Sequence, residues 1–136
     1  MRGVTLTTKK SDIMPGEAIE LLLDLGWGNP QDYNLKTMQI AINNTHFMVS
    51  AKNNENELVG FARVFSDDVF ATHIPDLVVR KEYQEKGIGR RMMNVIINKY
   101  GHTGIYVDAF KSGGKFYEKL GFKKRPHMEI YSRKFA

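Results

Sequence analysis

Gln84, Gly87 and Gly89 stand in a polar turn that follows the apolar run Leu77-Val78-Val79 and leads into an amphipathic stretch. Lys86, Arg90 and Arg91 lie beside them. That order of residues builds an anion cradle. The first N–H groups of a helix have no intrahelical partner, the helix dipole adds partial positive charge, and glycine lets a phosphate approach the main chain. Nearby basic side chains add full charges. The pattern is neither a P-loop nor a dinucleotide fingerprint, since no Gly-Lys-Ser/Thr follows and Met92 occupies the place of a third glycine. A strand-to-helix turn that simply needs two glycines is the plainer alternative.

A second cluster runs from Asp108 to Phe122 and contains the neighbours Phe116 and Tyr117. A phenol can donate a proton yet stays neutral at pH 7, so Tyr117 is a candidate acid. Its plainer alternative is a place in an aromatic core. The four histidines, at 46, 73, 102 and 127, lack ligand spacing, and no metal site is expected.

The elements around these clusters follow from periodicity. A short strand is expected at residues 5–8, and a helix after Pro15, with Ile19, Leu22, Leu23 and Leu25 at helical spacing. A second helix is expected at 31–43, then a hairpin of strands at 46–52 and 58–65. The strand at 70–79 contains Pro75, which cannot donate to a ladder and therefore predicts a bulge or a sheet edge. Met92, Met93, Ile96, Ile97 and Tyr100 mark one face of the helix behind the glycines. A strand at 105–107 then completes a right-handed crossover with parallel strands. A last helix at 114–120 ends at Gly121, and a closing hairpin is expected from 122–124 and 128–133. The sum is an α/β (α+β) chain with a single mixed, mostly antiparallel sheet flanked by helices.

At 136 residues the chain has the size of one domain, and no repeat or composition break marks a second. It has no cysteine, hence no disulfide and no thiolate chemistry. Residues 1–10 contain no apolar leader segment, and no run reaches membrane-spanning length, so a cytoplasmic protein without membrane contact is expected. The net charge of +5 suits nucleic acid or a small phosphorylated ligand equally. Its basic residues gather at the glycine turn and near the C-terminus, with acidic ones interleaved throughout, so no nucleic-acid partner is expected.

The two clusters together resemble the GCN5-related N-acetyltransferase (GNAT) superfamily. Its signature Gln/Arg-x-x-Gly-x-Gly/Ala is matched by Gln84, Gly87 and Gly89, and its later Phe/Leu-Tyr-Glu-Lys-Leu-Gly-Phe segment is matched from Phe116 to Phe122. The resemblance implies an acyl-CoA N-acyltransferase fold and an enzyme that moves the acetyl group of acetyl-CoA to a primary amine. It implies that Leu77, Val78 and Val79 pair with the pantetheine arm. Gln84, Glu85, Lys86, Gly87, Ile88, Gly89 and Arg90 would hold the pyrophosphate. A main-chain N–H near Val78 would polarise the thioester carbonyl, and Tyr117 would protonate the departing thiolate. Many relatives carry asparagine seven residues before that tyrosine, where this chain has Phe110.

An amine attacks as the free base, which is roughly one molecule in 2,500 at pH 7 for a lysine-like pKa. Asp76 and His73 are the candidate bases. Simple strand alternation puts them on opposite faces unless a bulge resets the register. Residues 25–33 border the acceptor pocket in the resembled family, so Trp27 and Tyr33 are candidate substrate contacts. A homodimer is expected to form, if at all, along the edge offered by residues 128–135. An acyl-CoA-binding module without transfer, and a small basic nucleic-acid binder, are the competing readings.

Overall fold

A pleated run at Ala71–Val79, β4, organises the rest of the molecule. The computed structural model describes residues 3–133. In chain order the elements are β1 (Thr5–Thr7), α1 (Pro15–Asp24), α2 (Leu35–Asn44), β2 (Phe47–Lys52), β3 (Leu58–Ser66), β4, α3 (Ile88–Tyr100), β5 (Gly104–Val107) and α4 (Gly114–Lys119). The strands form one sheet in the order β1-β2-β3-β4-β5. The first four are antiparallel, and β5 runs parallel to β4 after the α3 crossover, as the periodicity predicts.

Each face of the sheet buries its own layer. On one side Met92, Met93, Ile96 and Tyr100 of α3 pack on Val49, Val64 and Ile74, with Phe116 and Tyr117 of α4 at the margin. On the other, Ala18, Leu21 and Leu22 of α1 and Ile42 of α2 pack on Met48, Phe61 and Val78. Pro15 occupies the first helical turn of α1, where its missing N–H costs nothing. Gly121, at φ 91°, ends α4: its N–H bonds Glu118 C=O, while Phe122 N–H bonds Tyr117 C=O at 3.1 Å.

Pro75 does produce a bulge. Arg63 pairs with Asp76 and Phe65 with His73, so Ile74 and Pro75 together oppose Val64. The extra residue resets the alternation. Ile74 and Leu77 both pack toward α3, leaving His73 and Asp76 on the same opposite face. Pairing with β5 then stops: the last register pair is Ile74 with Val107, followed by one weak bond from Asp108 N–H to Ile74 C=O at 3.4 Å. Beyond this fork, residues 75–79 of β4 have β3 on one side and no strand on the other.

Two expected elements differ. The helix placed at 31–43 splits into a short turn at Pro30–Asp32 and α2, which starts later because Asn34 caps it by accepting the Thr37 N–H at 2.9 Å. The closing hairpin is not formed: residues 122–133 contain no strand, and β5 is the outer strand of the described sheet. Three successive cations, Lys123 to Arg125, repel one another there, and Pro126 removes a ladder donor. The expected edge at 128–135 lies partly outside the described residues.

Candidate active site

The turn after β4 is held by its own side chains. Gln84 Nε2 donates to Val79 C=O at 2.8 Å, folding the turn back onto the strand end. Arg80 Nε donates to Leu58 C=O at 2.9 Å, and its terminal nitrogens pair with Asp24 and Glu20. Arg91 donates to Val4 C=O at 3.2 Å. Arg91 is therefore committed to the N-terminal segment rather than to the cradle where its sequence position had put it. Among the described residues the side chains of Lys86 and Arg90 have no hydrogen bond or ion pair, so of the three basic residues at the turn these two stay uncommitted.

Gly87 and Gly89 do different work. Gly87 sits at φ 85°, a left-handed conformation that a side chain would strain, and a Cβ there would face open space. It is the N-cap of α3 and has no side chain to cap it. The first helical bond runs from Arg91 N–H to Gly87 C=O at 3.0 Å, so the N–H groups of Ile88, Gly89 and Arg90 precede the ladder. Glu85, also left-handed at φ 60°, shapes the same exposed turn. Gly89 instead permits close packing: a Cβ would lie 3.3 Å from Phe116 Cζ, so a larger residue pushes α4 away from α3.

Phe116 and Phe122 hold Tyr117 edge-on, with ring centroids 5.0 and 5.7 Å away. Burial, and then the negative charge of Asp108, raise the Tyr117 phenol above its ordinary value. The phenol thus keeps its proton at neutral pH. Asp108 lies at the fork, where its Oδ1 meets His73 Nε2 at 3.0 Å.

Antiparallel alternation fixes which peptide groups the fork exposes. Arg80 N–H bonds Val59 C=O at 2.8 Å, so Asp76 and Val78 also turn their N–H and C=O toward β3. Leu77 and Val79 turn theirs toward the side that β5 has left.

On the α1/α2 face, a cleft of about 280 Å³ opens against β3 and β4. Trp27, Tyr33, Met38, Phe61, Arg63 and Asp76 are among its lining residues. Arg63 Nε donates to Asp76 Oδ2, a cross-strand ion pair at the sheet side of the cleft. The Tyr33 hydroxyl donates to Trp27 C=O and fixes the loop between α1 and α2. Burial, then Asp32 and Asp76, raise the Tyr33 phenol, which keeps it a hydrogen-bond donor. Trp27 meets Phe110 edge-on, with centroids 6.0 Å apart and planes at 89°. Phe110, at 73% exposure, thus extends the aromatic wall across the fork.

The fold therefore brings Asp76, Trp27 and Tyr33 together in one cleft and leaves His73 outside its lining, bonded to Asp108 on the same face. Arg63, Phe61, Met38 and Asp108 were missed as site residues. Arg63 alone carried a sequence signal, a charge inside the apolar run from Val59 to Phe65. Among the described residues no three His, Asp or Glu side chains converge as metal ligands.

Comparison with known proteins follows the same lines. The family model for an acetyltransferase (GNAT) domain matches residues 28–134. The N-acetyltransferase ycf52 of Pyropia yezoensis, uncharacterized in function, is 34% identical over 98 residues, covering 68% of this chain and 56% of the relative. The chain spans about half the length of the curated relatives it matches. A protein of unknown function from meticillin-resistant Staphylococcus aureus superposes with a TM-score of 0.82 at 22% identity, over 97% of this chain and 99% of that one. A GNAT-family acetyltransferase of Streptococcus pneumoniae gives a TM-score of 0.76 at 19% identity, over 96% and 99%. At such identities the structures share the fold alone.

Proposed function

Because the chain belongs to the acetyltransferase (GNAT) family, we propose that it transfers the acetyl group of acetyl-CoA directly to a primary amine. The observation that carries this reading is the fork between β4 and β5. It leaves the peptide groups of Leu77 and Val79 unclaimed by β5 between the uncapped start of α3 and the aromatic cleft. The surroundings fit a CoA thioester: open space at Gly87, three free helical N–H groups and two uncommitted cations suit a diphosphate.

Acetyl-CoA would supply the acetyl group already activated as a thioester. Ile88, Gly89 and Arg90 offer main-chain N–H groups to the diphosphate, and Lys86 and Arg90 add charge. Gln84 and Glu85 shape the turn that presents them. Leu77 offers its N–H and C=O as a strand edge to the amides of the pantetheine arm, while the Val79 C=O already accepts from Gln84 Nε2. The main-chain N–H next to Val78 that points into the fork, that of Val79, would polarise the acyl oxygen. Tyr117 donates a proton to the departing sulfur. Asp76, in the cleft with Trp27 and Tyr33, takes the proton from the amine directly or through water. His73, bonded to Asp108 outside the cleft lining, ranks second as that base.

The domain, in this reading, is one acetyltransferase unit without a resident metal. The expected compartment is the cytoplasm, and no helix among the described residues is long and apolar enough to cross a membrane. Homodimer contact through the C-terminal segment is part of the proposal, supported by the exposed Met128, Ile130 and Tyr131 rather than by a strand edge.

The test is release of free CoA thiol from acetyl-CoA by the purified chain with and without primary amines. Amine-dependent release supports the reading. Saturable acetyl-CoA binding with no release from any amine would make the protein a binding module instead.

A further inference from the structure

We infer that the acceptor is a small primary amine with a single positive charge on an apolar body, such as an arylalkylamine, rather than a polyamine or an amino sugar. This rests on the reading that the cleft beside Asp76 receives the acceptor. Its volume, about 280 Å³, lies below the usual range for small-molecule sites of about 300–1,000 Å³. That favours an acceptor of modest size.

The charges in the cleft decide further. Arg63 and Asp76 are the charged lining residues, and they are bonded to each other, so the lining is neutral overall. Asp76 Oδ2 is engaged by Arg63, whereas Oδ1 has no hydrogen bond among the described residues. Oδ1 is the atom left for one ammonium group. The remaining wall is Leu22, Trp27, Met38, Met48 and Phe61, with the Tyr33 hydroxyl already committed to Trp27 C=O. A second ammonium against that wall would lose water and meet neutral hydroxyl oxygens, with no second carboxylate in the lining to balance its charge. The several hydroxyls of an amino sugar would outnumber the partners on offer: Thr37 Oγ1 and the Tyr33 hydroxyl have given their protons to Asn34 C=O and Trp27 C=O and keep acceptor sites alone. Asp32 adds a carboxylate near Tyr33, but it stands outside the cleft lining, where its Oδ2 accepts the Asn29 N–H at 2.8 Å as part of a turn cap. An aryl or alkyl body, in contrast, is received by Trp27 and Phe61, and Phe110 continues the apolar wall beyond Trp27.

The experiment compares kcat/KM for 2-phenylethylamine, spermidine and kanamycin at saturating acetyl-CoA. We expect 2-phenylethylamine to exceed both others by at least tenfold. In Asp76→Asn, its kcat/KM should fall tenfold or more while the acetyl-CoA Kd stays within twofold of wild type. Thr37→Asp adds an uncompensated carboxylate to the same cleft, and should raise the spermidine to 2-phenylethylamine ratio at least fivefold. This second variant keeps the inference testable if Asp76→Asn does not fold. Equal or greater turnover of spermidine or kanamycin by the wild type would overturn the inference and leave acetyl transfer standing. Acetyl-CoA binding without release from any of the three amines, or from a wider amine panel, would remove acetyl transfer and this inference together.

Discussion

The turn that enters α3 and the cleft beneath α1 and α2 face each other across β4, yet they are made of different material. The turn works through main chain: three helical N–H groups, a left-handed glycine and the open edge of Leu77 and Val79. The cleft works through side chains gathered from the α1–α2 loop, α2, β3 and β4. In the proposed reading, a cradle of peptide groups binds what all donors of one kind share, a diphosphate and an amide-bearing arm. The wall of side chains would then bind what differs between acceptors. One half can therefore stay fixed while the other changes, and mutations in the two should separate donor from acceptor.

The largest effect is expected directly behind the turn, where α3 packs on α4. Gly89→Val drives a side chain into Phe116, which lies 3.3 Å from the Cβ position, and so displaces the neighbouring Tyr117. Overpacking of this kind costs about 1–3 kcal/mol, and misplacement of about 1 Å at a reacting group costs about a hundredfold in rate. Steady-state kinetics should show kcat/KM falling by about that factor, together with weaker acetyl-CoA binding in calorimetry. Unchanged kinetics would detach the α3–α4 contact from the site.

Tyr117→Phe should come next, lowering kcat by about tenfold, the weak end of acid catalysis, with acetyl-CoA affinity unchanged. The pH profile sharpens this. Burial and Asp108 raise the phenol above 10.0, so its proton-bearing form persists past that pH. Activity should climb as the amine loses its proton and show no fall below pH 10 from loss of the acid. A falling limb centred well below that pH in the wild type, absent from Tyr117→Phe, would mean the phenol ionises too early for the role.

A smaller effect is expected from Lys86→Ala combined with Arg90→Ala, which removes two exposed charges from the cradle. Acetyl-CoA affinity should drop by about tenfold or less, and the difference should shrink at high salt, with amine KM unchanged. A change in amine KM without a change in acetyl-CoA affinity would reverse the assignment of the two halves.

Asp67 provides the control at the far end of β4. Its Oδ1 accepts the N–H groups of Val69, Phe70 and Ala71, and these bonds hold the carboxyl below its ordinary value of 3.8. The native state prefers the carboxylate, so the stability it adds is complete above that value and drains away as pH falls through the lower folded one. Asp67→Asn should lower the midpoint of thermal unfolding near neutral pH and flatten its decline in acid, with no change in either half of the site. A kinetic effect would show that the β3–β4 turn is coupled to the fork.

The same contrast explains what could be read in the sequence. Gly87, Gly89 and Gln84 act within one local turn, so their spacing announced the turn that enters α3, and Pro75 announced the bulge because a missing N–H is a local fact. Asp76 and His73 were placed on one face by that bulge, a consequence that simple alternation reverses. Arg91 looked like a cradle residue from its neighbours in sequence, but its partner is Val4, which no local pattern indicates. Arg63 and Asp76 meet only through cross-strand register, and Trp27 reaches Phe110 only once the α1–α2 loop and the chain after β5 have folded over the fork. The closing hairpin expected from 122–124 and 128–133 is not formed, because the adjacent charges of Lys123 to Arg125 and the missing N–H of Pro126 oppose it.

The most direct measurement is thermal unfolding of the wild type and of Gly89→Val, each with and without acetyl-CoA. Acetyl-CoA at a hundredfold excess over its wild-type Kd should stabilise the wild type by about 2.7 kcal/mol, raising the midpoint by several degrees, and should raise Gly89→Val much less. No rise in the wild type would contradict the donor cradle at the fork, and an equal rise in both proteins would place the cofactor somewhere other than beside Gly89.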